Sequence, residues 1–98
     1  MSRILVSPAA AGSLARLIVT HSLPADTSDR FKRSVSALGE FPRLGRLLEG
    51  GEYNGLRFVL GPWRWMIVVY DFDAEADVVQ ILLVEDGRSS SAVTSHLA

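Results

Sequence analysis

The sequence predicts an α+β domain of the order β-α-α-β-β-β, in which a helical hairpin packs on a small antiparallel sheet. Three observations lead to this prediction. Two segments in the first half repeat apolar residues at helical spacing. The second half instead holds three runs rich in β-branched and aromatic residues, with short turns between them. The 98 residues fit a single domain, because chains of this length seldom divide further.

The first strand and the first helix are predicted from adjacent residues near the N-terminus. Residues 4–6 form a short apolar run with β-branched side chains, which is typical of a strand. Ser7 and Pro8 fit the start of a helix, because the serine side chain can bind a free amide and proline has no N–H to leave unpaired. This helix ends before Pro24, since proline disfavours helical geometry in the residue that precedes it.

The second helix is predicted to begin at Thr27 or Ser28 and to stop at Gly39 and Pro42. Apolar residues at positions i, i+4 and i+7 of this segment form one buried stripe, consisting of Phe31, Val35 and Leu38. Two helices with one apolar face each, joined by a short polar link, form a hairpin that needs a flat surface to cover it.

Three strands supply that surface. Residues 56–60 alternate in the manner of a half-exposed strand on which Arg57 points outward. Residues 65–72 are apolar at both alternating sets, which predicts a central strand covered on both faces. Residues 78–84 form another apolar strand after a polar turn. The short connections make these three strands an antiparallel meander.

The C-terminal residues 89–98 are serine-rich and fit either a short, weak helix or a mobile tail of the single domain 1–98. The absence of cysteine excludes a disulfide scaffold, a thiolate zinc site and a cysteine nucleophile. No apolar run reaches the roughly 20 residues needed to cross a bilayer. Together with the absence of a secretory signal, these features predict a cytoplasmic protein without a membrane partner.

The net charge of −1 disfavours a protein that grips nucleic acid mainly through a basic surface. This total conceals an asymmetry. Residues 1–65 contain nine Lys or Arg and five Asp or Glu, a net charge of +4, whereas residues 66–98 contain one Arg and six acids, a net charge of −5. Electropositive faces therefore remain available in the first two thirds of the chain.

Standard catalytic and metal-binding patterns are scarce in this sequence. His21 and His96 are the only histidines, and His21 at the end of the first helix fits ordinary helix capping. A group of carboxylates marks one hairpin end and reads as a solvated turn, since no calcium-loop pattern accompanies it; it consists of Asp71, Asp73, Glu75 and Asp77. We therefore expect no cofactor and no metal.

Arginine and tryptophan are the remaining candidates for function. Arg57, Trp63, Arg64 and Arg88 form the predicted target- or partner-binding set, because Arg and Trp are frequent interface anchors. The alternative is that Trp63 fills the edge of the core and the arginines keep the surface soluble. For Trp65, in a strand covered on both sides, the core alternative is favoured.

The sequence also resembles a known family through motifs in a fixed order. The segment LVSPAA leads into the first helix, FPRLGRLL ends the second, and LRFV, MIVVYDF and VVQILLVEDGR follow. Across residues 3–88 this pattern is similar to the RelE/ParE toxin superfamily of bacterial toxin–antitoxin modules. The resemblance implies a β-α-α-β-β-β fold and a cognate antitoxin that docks by strand addition or by helix-in-groove packing. It further implies one of two activities: RelE-like members cleave messenger RNA on the ribosome, and ParE-like members poison DNA gyrase.

Departures from the ribonuclease pattern decide between the branches. The resemblance implies an arginine three residues before Tyr70, where Ile67 stands, and a tyrosine or histidine about six residues after Arg88, where Thr94 stands. We therefore expect a ParE-like toxin that binds a target, DNA gyrase, without chemistry of its own. The alternatives are a ribosome-dependent mRNA endoribonuclease that uses Arg88 with Arg57 or Arg64, and a non-toxic relic or interaction module.

Overall fold

Helices cover one face of a five-stranded sheet in the computed structural model, which describes residues 1–88. The elements in chain order are β1 (Arg3–Val6), α1 (Pro8–Thr20), α2 (Thr27–Val35), α3 (Ala37–Glu40), β2 (Arg46–Leu47), β3 (Arg57–Leu60), β4 (Met66–Asp73) and β5 (Val78–Asp86). The α+β class is confirmed. The predicted C-terminal helix, with Thr94 and His96, lies outside the described residues.

The sheet is mixed rather than wholly antiparallel. Its strand order is β1-β5-β4-β3-β2, and the meander of β3, β4 and β5 is antiparallel as predicted. β1 pairs with β5 in parallel. A parallel neighbour requires a long crossover, which α1 and the following elements supply. The short run of β1 in the sequence carries no information about which strand it joins.

Two details of the elements differ from the expectation. The second helix is interrupted at Ser36, where the hydroxyl group donates to the carbonyl of Arg33 at 2.7 Å, and α3 follows as a single turn. The two-residue strand β2 was not predicted, because Arg46 and Leu47 lack the β-branched run that marks a strand. β2 closes one edge of the sheet by pairing with β3.

β4 is covered on both faces, as its sequence predicts. Its alternate residues Met66, Val68 and Tyr70 face the helices, within a cluster that also contains apolar residues of α1, α2, α3 and β5. The intervening residues Ile67 and Val69 face the opposite side, within a second cluster. That second cluster contains Leu48, buried at 2% exposure, with Tyr53, Leu56, Phe58 and Leu83 packed around it.

A loop that returns across the sheet builds this second cover. Leu48 donates its N–H to the carbonyl of Leu56 at 2.7 Å, and Gly55 donates to the carbonyl of Leu48 at 2.9 Å. The chain reverses at Gly50 and Gly51, whose φ angles of 76° and 68° favour glycine. The segment between β2 and β3, which looks in the sequence like flexible connection, is therefore a folded loop over an apolar face.

Ser7 caps α1 as predicted and also ties the helix to the sheet. Its hydroxyl oxygen accepts from the N–H of Ala10 at 3.1 Å and its O–H donates to the carbonyl of Leu82 at 3.2 Å. Leu82 is the extra residue of a bulge in β5 opposite Val69 and Tyr70. One side chain thus serves the helix start and an irregular point of the sheet.

We expect Ser7→Ala to lower the free energy of unfolding by about 1–2 kcal/mol, because it removes a helix cap and a second hydrogen bond. Urea denaturation of both proteins measures the change. Ser28→Ala is the matched control, since Ser28 is exposed on α2 and its change should be near zero. Equal effects of the two substitutions would contradict the capping role.

Candidate functional site

Both tryptophans lie together at the end of the sheet where β4 begins. The rings of Trp63 and Trp65 stack with centroids 6.3 Å apart and an angle of 27° between their planes. His21, at the C-terminal end of α1, places its ring 4.7 Å from that of Trp65. Both tryptophans are half-buried against the helix-facing core. They are therefore part core and part surface, between the two alternatives that the sequence left open.

Cations border this aromatic pair. The guanidinium carbon of Arg30 lies 5.8 Å from the ring centre of Trp63, and that of Arg88 lies 4.8 Å from the ring centre of Trp65. Both distances fall within the reach of cation–π attraction. Arg64, between the tryptophans in sequence, is exposed. We call this set the tryptophan–arginine surface; it consists of His21, Arg30, Trp63, Arg64, Trp65, Asp86 and Arg88.

Asp86 connects two members of the tryptophan–arginine surface. It accepts from Nε and Nη2 of Arg88 at 3.0 Å and 3.1 Å, and its Oδ2 lies 3.2 Å from Nε2 of His21. The hydrogen bonds from Arg88 hold the pKa of the Asp86 carboxyl below its ordinary value, although partial burial opposes them. These two hydrogen bonds to Asp86 hold the guanidinium of Arg88 against the ring of Trp65.

Short local bonds position the tryptophans. The N–H of Gly61 donates to the carbonyl of Met66 at 2.8 Å, and the N–H of Met66 donates to that of Trp63 at 3.0 Å. The turn after β3 is therefore tight, as Gly61 and Pro62 predict. The turn places Trp63 at the end of the sheet where β4 begins and β5 ends, and Arg88 follows β5 at the same end.

The structure brings three of the four predicted binding residues together and places the fourth elsewhere. Trp63, Arg64 and Arg88 belong to the tryptophan–arginine surface. Arg57 pairs in register with Tyr70, five residues along β4 from Trp65, or roughly 16 Å at the usual strand rise.

Arg57 braces a loop and does not point freely outward. Its Nη1 donates to the carbonyl of Gly45 at 2.8 Å and to that of Arg43 at 3.3 Å. The buried Tyr70 binds the same loop, because its hydroxyl donates to the carbonyl of Pro42 and accepts from the N–H of Gly45, both at 2.8 Å. Burial raises the pKa of Tyr70, opposed by the Gly45 hydrogen bond and the charge of Arg57.

The sheet face opposite the helices is apolar and acidic. Ile67, at the position where the resemblance implies a catalytic arginine, is 4% exposed in the second cluster. Its direct partner on β5 is Glu85. Burial and the nearby carboxylates of Glu52 and Glu85 raise the pKa of Tyr53 on this face. Arg88 instead lies over Trp65, which packs against the helix-facing core.

Sequence reasoning missed three members of the site: His21, Arg30 and Asp86. His21 is the C-cap residue of α1, and its backbone N–H donates to the carbonyl of Leu17 at 3.0 Å, but the imidazole that was predicted to cap the helix contacts Trp65 and Asp86 instead. The spacing of Asp86 and Arg88 is a local signal that could have indicated their pairing. No local signal exists for Arg30, whose contact with Trp63 joins distant parts of the chain.

No three His, Asp or Glu side chains are grouped to hold a metal ion within residues 1–88. Within the same residues, every helix is too short or too polar to cross a membrane.

The pairing of Asp86 predicts a pH dependence of stability. The pKa of this carboxyl is lower in the folded chain than its ordinary value of 3.8. Its contribution is therefore fully present above about pH 5 and is lost as the pH falls through the folded pKa. We expect the stability difference between the wild type and Asp86→Asn to shrink as the pH falls from about 5 to about 3. Urea midpoints along this series measure it, and a constant difference would contradict the pairing.

Comparison with known proteins gives matches in structure alone. No family model matches the chain, and no curated protein matches its sequence. The fold is similar to a chain of the toxin–antitoxin complex RelBE2 from Mycobacterium tuberculosis, with a TM-score of 0.62 and 22% identity, covering 87% of this chain and 96% of that one. It is also similar to the isolated RelE toxin of E. coli, with a TM-score of 0.66 and 15% identity, covering 99% of this chain and 96% of that one. The chain therefore shares the fold of these two solved structures.

Proposed function

We propose that this chain is the toxin of a type II toxin–antitoxin module, acting in the cytoplasm and neutralised by a cognate antitoxin. We further propose that it is ParE-like and inhibits growth by binding a cellular protein, DNA gyrase. The RelE-type fold supports the toxin assignment, and the RelBE2 complex supports an antitoxin partner. The choice of a binding mode over RNA cleavage rests on the sheet face opposite the helices.

At the position where the ribonuclease pattern has an arginine, that face offers no cation. Activation of a 2′-hydroxyl and stabilisation of charge on a phosphate require acid–base groups and cations. At the expected cation position Ile67 is covered by Leu48, and Glu85 lies directly opposite. An uncharged isoleucine side chain buried beneath Leu48 cannot stabilise charge on a phosphate. This is the observation that carries the proposal.

The tryptophan–arginine surface supports binding instead. Trp63, Arg64 and Arg88 combine apolar area with guanidinium donors, which is the composition of protein interface hot spots. Arg57 pairs with Tyr70, about 16 Å along β4 from Trp65, and there its guanidinium donates to the carbonyl of a loop. It therefore supports the fold beside this surface rather than within it. We therefore reduce the proposed target-binding set to Trp63, Arg64 and Arg88.

The principal alternative is a RelE-like ribosome-dependent endoribonuclease, which is favoured by the similarity to solved RelE toxins. It would use Arg88, with Arg57 or Arg64 replacing the missing cation. This alternative predicts that Arg88→Ala abolishes messenger RNA cleavage and leaves antitoxin binding intact.

Controlled expression in a bacterium tests the proposal. We expect growth arrest with DNA breaks and a damage response, relieved by the antitoxin, while messenger RNA stays intact at early times. Early loss of messenger RNA with intact DNA would replace gyrase poisoning by the ribonuclease alternative. Harmless accumulation of folded protein would support the third option, a non-toxic relic or interaction module.

A further inference from the structure

We propose that the tryptophan–arginine surface binds an acidic segment of a partner protein, with carboxylates on the guanidinium groups and apolar side chains on the indole edges. This inference deepens the proposed function by naming the chemistry recognised at Trp63, Arg64 and Arg88. It rests on that function in taking the partner to be the target of the toxin.

The arginines of this surface have N–H groups that are not used by Asp86 and Asp26. Arg88 is 60% exposed and uses Nε and Nη2 on Asp86, which leaves about three of its five donors for another acceptor. Arg30 is 47% exposed and pairs through Nε with Asp26 at 3.0 Å. Arg64 makes no side-chain hydrogen bond or ion pair with any other residue in the range 1–88. A partner's carboxylates would thus meet two guanidinium groups held in place by Asp86 and Asp26, and the guanidinium of Arg64.

The charges of the surface favour an acidic partner. The three arginines of the surface carry a charge of +3. Asp26 and Asp86, which pair with Arg30 and Arg88, reduce the net charge to +1 when His21 is neutral. The acidic turn between β4 and β5 lies at the other end of the same two strands and contains Asp73, Glu75 and Asp77. This separation keeps the carboxylates of that turn away from an acidic segment bound at the tryptophan end.

The indoles favour a protein over a nucleic acid. Single-stranded nucleic acid binds aromatic side chains by stacking bases on free ring faces. Here Trp63 already contacts Arg30 and Trp65, while Trp65 also contacts His21 and Arg88. These contacts already engage both rings, whose partly exposed apolar surface lies beside charged donors.

Intrinsic fluorescence reports directly on this surface, because the chain has two tryptophans and both belong to it. The full chain is titrated with a soluble peptide of glutamate and leucine, with the same peptide carrying glutamine for glutamate, and with oligouridine RNA. We expect saturable binding of the glutamate peptide that weakens with salt. Arg64→Glu should weaken it about tenfold.

Arg3→Glu is the matched control, with the same charge reversal on an exposed arginine. Arg3 pairs with Val78 at the opposite end of β5, roughly 30 Å from Arg88, so peptide binding should be unchanged. Circular dichroism verifies that both variants are folded. Equal binding of the glutamine peptide, tighter binding of RNA, or no saturable signal would each overturn the inference.

Growth assays of the same variants separate this inference from the proposed function. If the wild type arrests growth with DNA breaks but binds no glutamate peptide, the inference fails and the proposed function stands. If it binds the peptide through Arg64 but arrests no growth, the proposed function fails and the acidic-segment site stands.

Discussion

Gly45→Ala is expected to lower the free energy of unfolding by about 3 kcal/mol or more, because a methyl group has no room at this position. A Cβ on Gly45 would lie 2.6 Å from the hydroxyl of Tyr70 and 2.7 Å from the backbone carbonyl of Phe58. Tyr70 is fully buried and cannot move aside. The displacement would also break the hydrogen bond from Gly45 to Tyr70.

Two further variants make this prediction specific. Gly12→Ala is the control, because a Cβ there meets Arg16 at an ordinary 3.6 Å, and alanine in a helix should stabilise the chain by about 0.5–1 kcal/mol. Tyr70→Phe removes the clash between the new Cβ and the Tyr70 hydroxyl, but the clash with the backbone carbonyl of Phe58 remains. The double variant Gly45→Ala/Tyr70→Phe should therefore remain as unstable as Gly45→Ala. Urea denaturation measures all of them, and a loss below about 1 kcal/mol for Gly45→Ala would show that the loop yields.

The network around Gly45 also shows where sequence prediction reaches its limit. The helix stripe of Phe31, Val35 and Leu38 and the strand of residues 65–72 follow from periodicity, and all three stripe residues are buried. The clamp of Tyr70 and Arg57 on residues 42–45 does not, because it joins residues 12 to 28 positions apart through backbone carbonyls. Alternation alone predicts an outward Arg57 and cannot reveal the loop that folds over it.

The candidate site, like the fold, was only partly predictable from the sequence. Trp63, Arg64 and Arg88 were found because arginine and tryptophan are informative residue types wherever they stand. His21 follows the end of α1, as its place in the sequence predicts, but the contact of its imidazole with Trp65 depends on where α1 ends relative to β4. Residue type therefore selected the candidate residues, and the packing of α1, α2 and the end of β5 around the two tryptophans added His21, Arg30 and Asp86 to them.

Ile67→Arg is expected to lower the free energy of unfolding by about 2–4 kcal/mol without creating an RNA-cleaving protein. The substitution introduces the cation that the ribonuclease pattern requires. Ile67 is 4% exposed and packs with Leu48 and Val69, so the charge would enter an apolar cluster. The penalty stays below that of an isolated buried charge, because Glu85 lies directly opposite on β5 and offers a partner.

Pairing with Glu85 also determines whether the new arginine of Ile67→Arg can take part in RNA cleavage. A guanidinium group paired with Glu85 and covered by Leu48 is not available to a phosphate, so ribosomes programmed with messenger RNA should show no new cleavage ends. Glu85→Gln should cost more stability in the Ile67→Arg variant than in the wild type, since in the variant it also leaves the new charge without its carboxylate. Ile67→Leu is the volume-matched control and should cost less than about 1.5 kcal/mol. New cleavage by Ile67→Arg at nearly unchanged stability would mean that the loop over this face opens to RNA, and the binding mode would then give way to catalysis.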